Sequence, residues 1–375
     1  FVVRGEGEHT FVDLLAGLRD GRSEWTGCQG LSWRAADGTP VHEPDRPPPN
    51  DLDAMPFPAW DLVDLAKYHT VPRGGVIYAH KEFATMFSSR ACPWRCTYCH
   101  NSYGKAFRAR SAEHVLAEID LLVRDHGVKE LVFMDDIFNF RPDRAKAIAQ
   151  GLIDRDYGLK LTFPNGFRGD ILDEELVLLL KRAGMYRCMV AVESAVPRIQ
   201  KVMKKNLKID KVQRIVDFIA DQGVMVHGAF MLGFPTESVE ELNATVEFAL
   251  KSKCLIASFF TVVPFPGSDL WDMAIREFPD WERMAVDSHY YEEEPYYTQA
   301  HGVSLRKIQR AALLKFYLNP WRMVTTFRRI PYKRDLLRNL YPLAQITFGW
   351  FMRGKDAKLD KSLAMGHAIE AMNTV

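Results

Sequence analysis

Alternation constrains this chain most. From residue 83 to 263, short apolar runs alternate with amphipathic stretches. Residues 83–88, 130–134, 159–163, 188–192, 224–232 and 256–263 read as strands, and 112–125, 144–154, 173–183, 211–222 and 239–252 as helices. Over 112–125, Val115, Ile119, Leu122 and Val123 fall on one helical face, and His126-Gly127 ends it. Strands separated by helices build a parallel sheet with right-handed crossovers. Six strands so connected make an α/β fold, and in barrels of this kind the reacting groups lie at the C-terminal strand ends.

Cys92, Cys96 and Cys99 follow the first of these strands, in Ala91-Cys92-Pro93-Trp94-Arg95-Cys96-Thr97-Tyr98-Cys99-His100. The spacing is C-x3-C-x2-C and takes half of the six cysteines. A structural zinc site closes with four ligands, commonly two C-x2-C pairs or a Cys/His set. His100 directly follows Cys99, and adjacent residues seldom reach around one tetrahedral ion. Cys28, Cys188 and Cys254 are scattered singly, so a secreted disulfide framework is not indicated. Soft thiolates suit iron–sulfur clusters, and three of them on a cubane leave one iron open.

With an aromatic, Tyr98, before the last cysteine, the motif resembles that of the radical S-adenosylmethionine (radical SAM) superfamily, and the likeness covers roughly 80–270. It is similar to the branch that carries an N-terminal cobalamin-binding domain. Val2-Val3-Arg4-Gly5-Glu6-Gly7-Glu8 looks like the last strand and turn of such a domain, and 51–62 like that branch's linker. The resemblance implies a partial (β/α)6 TIM-like barrel and a 4Fe–4S cluster on Cys92, Cys96 and Cys99, with SAM on the fourth iron. A 5′-deoxyadenosyl radical would then abstract a substrate hydrogen. Cobalamin-dependent C-methylation is the leading outcome. Radical cyclisation or rearrangement is the runner-up, and a non-catalytic redox-sensing cluster is the distant rival. An external one-electron reductant of the flavodoxin or ferredoxin type is implied.

The remaining SAM candidates sit at strand ends. Tyr98 either lies near the adenine or packs its loop. Asp135 and Asp136 end the second strand, where a carboxylate suits the SAM ammonium, or else caps the turn. Arg168 suits the SAM carboxylate, with an ion pair to Asp170 or Asp173 as the rival reading. Glu193 ends an apolar strand and needs a partner for its charge. Gly228 and Gly233 allow close backbone approach to the adenine. Glu237 reads as the N-terminal cap of the next helix. By the same resemblance the 262–268 segment reads as positioning. His100 reads as neighbouring the cluster, His227 as a satisfied core residue, and Cys188 and Cys254 as buried thiols.

The expected organisation is 1–40, the end of an N-terminal cobalamin-binding domain; 41–80, a proline-rich linker; 81–270, the barrel; and 271–375, a mainly helical lid region. The opening on Phe1, mid-strand, leads us to expect residues upstream. A net charge of +1 argues against a nucleic-acid binder. No apolar run reaches the roughly 18–20 residues that span a bilayer. Free thiols in metal spacing point to a reducing, cytoplasmic compartment. The acidic, aromatic stretch 287–297 reads as a lid or as loop packing. Residues 320–355 carry eight Lys/Arg and one acid among aromatics. Such a segment suits peripheral membrane contact, and a lipid-like in place of another small-molecule substrate, or covers a neighbouring domain.

Overall fold

The structure is a computed structural model that describes residues 1–70, 77–99, 103–277, 303–331 and 333. Contacts divide the chain into a large unit, 1–71 with 80–329, and a small one, 72–79 with 330–375. Outside the described residues lie His100, the 287–297 stretch, and most of the basic segment after 329.

The large unit opens with a small antiparallel sheet, β1 (Val2–Val3), β2 (Leu31–Arg34) and β3 (Pro40–His42), with α1 (Glu8–Arg19) between its first two strands. Leu14, Trp25, Cys28, Leu31 and Trp33 make its own core. The linker carries α2 (Leu65–Thr70). The alternating region follows in chain order: β4 (Phe83–Met86), β5 (Ser89–Arg90), β6 (Arg108–Ala109), α3 (Ala112–His126), β7 (Glu130–Phe133), α4 (Pro142–Arg155), β8 (Lys160–Phe167), α5 (Glu174–Arg182), β9 (Met185–Glu193), α6 (Pro197–Val202), α7 (Ile209–Asp221), β10 (Met225–Leu232), α8 (Val239–Lys251) and β11 (Ile256–Thr261). Three helices come later: α9 (Asp269–Glu277), α10 (Leu305–Tyr317) and α11 (Pro320–Arg329).

Six strands pair in the order β11-β10-β9-β8-β7-β4, all parallel. The parallel sheet is the one the alternation predicts, and its six strands match the partial (β/α)6 barrel that the resemblance implies. The helices bury one wall of the sheet. Along β9 the buried Cys188, Val190 and Val192 join the helical core, while Arg187, Met189 and Ala191 stay half-exposed on the other face. Phe133, Phe138, Phe163 and Phe167 knit the β7–β8 side, with the Phe133 and Phe163 rings stacked 5.0 Å apart.

Local chemistry sets the element ends. Ser111 caps α3 by accepting from His114 N, and Gly127 ends it at φ +62°. Gly184 turns α5 into β9 at φ +111°, where a Cβ would lie 1.9 Å from the Leu159 carbonyl oxygen, so only glycine fits. At β11 the exposed edge is covered by α10: Tyr317 Oη bonds both Ala257 N and O, and Gln309 donates to Phe259 O. Arg322 of α11 is buried and donates to the carbonyls of Leu250, Ser252 and Cys254, at the end of α8.

Three features depart from expectation. β8 runs on to Phe167 through an irregular register after Phe163. The short helix α6 has no counterpart in the sequence reading. β5 and β6 close the base of the cysteine loop as a two-stranded ribbon, Ser89 opposite Ala109 and Arg90 opposite Arg108.

Candidate functional site

The cysteine loop is fixed at several points. Its ribbon holds the base, where Arg90 and Arg108 both donate to the buried Glu6 carboxylate. Thr97 N donates to Met203 O at 3.0 Å and Thr97 O accepts from Leu270 N at 2.9 Å, strapping the loop between α6 and α9. Ala91, buried at its start, adopts φ +69°. Cys92, Cys96 and Cys99 are in no disulfide and are half-exposed.

Among the described residues no three His, Cys, Asp or Glu side chains are gathered as a single-ion site. Burial raises all three thiols, Cys99 to about 11. Lys105 lowers each of them, and Lys205 and Arg168 also act on Cys96. Thiolates at this place need cations beside them, which the lysines begin to supply and iron would complete.

The two acids after β7 diverge. Asp135 is buried, and its carboxylate accepts from Ser88 N, Ser88 Oγ at 2.7 Å and Ser89 Oγ. It staples the β4 end to the β7 end. Asp136 keeps an exposed face, and the Ala91 backbone amide acts to lower its carboxyl. Burial, then the charge of Asp135, raises it. Its charge in turn acts on Cys92.

Glu193 ends β9 on left-handed backbone, φ +63°. A non-glycine residue there costs of order 1–3 kcal/mol and persists only where its surroundings impose it. The buried carboxylate lies 3.0 Å from Lys205 Nζ and 3.2 Å from Tyr98 Oη. Lys205 also donates to Ala191 O at 2.7 Å. Tyr98 packs edge-on to Phe234, ring centroids 5.6 Å apart. Burial, then the charge of Glu193, raises its hydroxyl well above the usual range. Glu193 and Lys205 both act on Cys96. Sequence reasoning missed Lys205, which lies in a polar run and comes into place between Lys204 and Asn206, both at positive φ.

Arg168 is held by protein. Its Nε lies 2.8 Å from Asp170 Oδ1, it donates to Lys205 O at 2.7 Å, and its guanidinium lies 4.4 Å from the Trp94 ring centre. It braces the cysteine loop through that ring. Gly228 lies on the helical side of β10, where a Cβ would meet the Phe230 ring at 2.7 Å and Cys254 Sγ at 3.1 Å, so packing explains it. Gly233 turns at φ +92° after β10, and Gly233 N and Phe234 N donate to Glu237 Oε2 at 2.7 and 3.0 Å. Glu237 therefore ties that turn. The cap of α8 is Ser238, in a capping box with Glu241. Burial raises Glu237 to about 7. Cys188 and Cys254 are buried, and His227 bonds Ser258, as read.

A half-barrel with three thiols after its first strand and an ion pair at its fourth strand end is the scaffold of a metallocofactor enzyme. The family model of the Radical SAM superfamily matches residues 86–249. A Pyrococcus horikoshii protein, named an uncharacterized methyltransferase, is 33% identical over 331 residues, 85% of this chain and 67% of that one. The anaerobic magnesium-protoporphyrin IX monomethyl ester cyclase of Rubrivivax gelatinosus is 27% identical over 273 residues, 72% of this chain and 48% of the cyclase. The radical SAM methyltransferase TsrM of Kitasatospora setae, solved with cobalamin and a [4Fe-4S] cluster bound, shares the fold at TM-score 0.59 and 19% identity, over 73% of this chain and 53% of TsrM. The chain belongs to the radical SAM superfamily, whose enzymes use a 4Fe–4S cluster and SAM. It spans about half the length of the cyclase and of TsrM.

Proposed function

We propose that Cys92, Cys96 and Cys99 bind the cluster and that SAM lies between their loop and the ends of β7, β9 and β10. The observation that carries this is the Tyr98–Glu193–Lys205 knot, an ion pair on left-handed backbone beside Cys96. When bound there, the cluster would supply one electron for reductive cleavage of SAM at S–C5′, the chemistry that gives this class its means of taking a hydrogen atom from a substrate.

The chain's own residues bind and orient. Asp136, open beside Cys92, offers a carboxylate to the SAM ammonium, whereas Asp135 is committed to Ser88 and Ser89. Lys205 offers a cation to the SAM carboxylate, and Glu193 accepts from the ribose hydroxyls or the ammonium. Gly233 shapes the turn beside the adenine. Tyr98, Phe234 and Met203 exclude water from this side.

The net reaction we favour is C-methylation of a small molecule with cobalamin as methyl donor and an external one-electron reductant. The methyltransferase name of the Pyrococcus relative and the fold shared with TsrM support it. Residues 1–40 would then be the end of a cobalamin-binding domain. The cyclase relative keeps radical cyclisation as the second reading. On α11, Trp321, Val324 and Phe327 are exposed beside Arg328 and Arg329, which suits peripheral contact with a membrane surface; no helix among the described residues is long and apolar enough to cross one.

Anaerobic reconstitution with iron, sulfide, SAM and dithionite tests the radical step, with 5′-deoxyadenosine as the product to detect. No cleavage by protein that carries a reducible cluster would sink the proposal. Cobalamin-type absorbance after loading tests the methyl-transfer version, and flotation with anionic liposomes tests the membrane contact.

A further inference from the structure

The concave wall of the sheet has a polar band well below the rim. Thr162 on β8 pairs in register with Arg187 on β9. Met225 of β10 lies opposite Arg187, so His227 stands two residues higher, and Ser258 of β11 stands two above Ile256, the partner of His227. A climb of this kind along successive strands is what strand tilt gives a level layer in a barrel. Four consecutive strands thus each place one polar side chain in one layer.

Its charge is unbalanced. Arg187 Nε donates to Thr162 Oγ1 at 3.1 Å, and His227 Nε2 lies 2.9 Å from Ser258 Oγ. Among the described residues, no carboxylate pairs with Arg187. Burial, then the charge of Arg187, holds His227 at about 4, so it is neutral at pH 7. One guanidinium donor is used of five. Above the band the wall turns apolar, with Met134, Met189, Ala191, Met231 and Phe260 half-exposed. Arg187 lies six residues below Glu193, roughly 20 Å of strand.

We propose that this layer is an anion site that holds the acidic end of an elongated substrate. The substrate's apolar body lies along the methionine-lined wall, and its reacting carbon lies near the rim. Phosphate, phosphonate and carboxylate share the required chemistry, since each accepts two N–H bonds from one guanidinium. The proposal names the substrate class for the radical reaction and rests on that reading.

Isothermal titration calorimetry of the cluster-reconstituted chain tests it, with n-octylphosphonate, octanoate and n-octyltrimethylammonium as probes. One-site binding of either oxyanion is expected, weakened at least tenfold in Arg187→Gln and by less in Arg187→Lys, which keeps the charge but loses the two-pronged donor. The two oxyanions separate phosphonate-type from carboxylate-type ligands. Thr162→Val, which removes only the acceptor that orients Arg187, should weaken binding several-fold, and thermal melts check that each variant is folded. Absence of oxyanion binding to the parent chain, equal binding of the ammonium probe, or unchanged affinity in folded Arg187→Gln would each overturn the proposal. SAM cleavage measured on the same preparation separates the two ideas. Cleavage without oxyanion binding removes the anion site alone, and binding without cleavage removes the radical reading alone.

Discussion

The ends of β7 and β9 look alike in sequence, an apolar run closed by an acid, yet they do opposite work. Asp135 turns inward onto Ser88 and Ser89 and joins two strands. Glu193 sits on left-handed backbone, faces Lys205 and Tyr98, and acts on Cys96. An acid whose acceptor sites are filled by hydroxyls and amides of its own sheet is a staple. An acid held in a costly conformation beside a cation and a thiol loop is what we propose holds a ligand. The comparison also separates Asp135 from Asp136, which adjoin in the chain and differ in the side they face.

Substitutions break or sharpen this contrast. The largest effect falls on the loop that both regions flank: Cys96→Ala should lose cluster iron and reduce SAM cleavage to background, read by iron content and 5′-deoxyadenosine. Next comes Glu193→Gln, which removes a charge-assisted contact. Cleavage should fall about 10- to 100-fold, with the fold retained as judged by circular dichroism. Asp135→Ala should do the reverse. It leaves the Ser88 and Ser89 donors buried without an acceptor and should cost about 1–3 kcal/mol of stability, seen as an earlier denaturant midpoint, while cleavage by the folded fraction stays near the parent rate.

The smallest effect is a pH slope. Glu237 is raised to about 7 from an ordinary 4.5, chiefly by burial. The folded state therefore holds a proton that the unfolded state has lost between these values, so stability falls as pH rises from about 4.5 through about 7. A shift of this size corresponds to roughly 3–4 kcal/mol as an upper bound. Glu237→Gln keeps an acceptor for Gly233 N and Phe234 N, and its melting temperature should lose that part of the decline between pH 5 and 8.

Much of this is legible in the sequence, for local reasons. The strand–helix alternation announces the parallel sheet, and the cysteine spacing is complete within one loop. Glu193 stands out as a charge at the end of an apolar strand. What was not legible depends on partners far along the chain. Asp135 and Asp136 are told apart only by Ser88 and Ser89, which parallel pairing of β4 with β7 brings beside them. Lys205 lies in the run Lys201 to Lys208, where nothing marks one lysine from the next until Lys204 and Asn206 take positive φ and turn it toward Glu193. Gly228 read as an approach for the cofactor, but Phe230 and Cys254 fill the space beside it. The β5–β6 ribbon has two residues per strand, too few for any periodicity to show.

The most direct test sets the two acids side by side in one anaerobic assay, with 5′-deoxyadenosine quantified from reconstituted parent, Glu193→Gln and Asp135→Ala proteins matched for folded fraction and cluster content. The expected result is cleavage by the parent and by Asp135→Ala, with Glu193→Gln lower by about one to two orders of magnitude. Cleavage by Glu193→Gln equal to the parent, or its loss in Asp135→Ala alone, would contradict the assignment of β9 as the strand end that holds SAM.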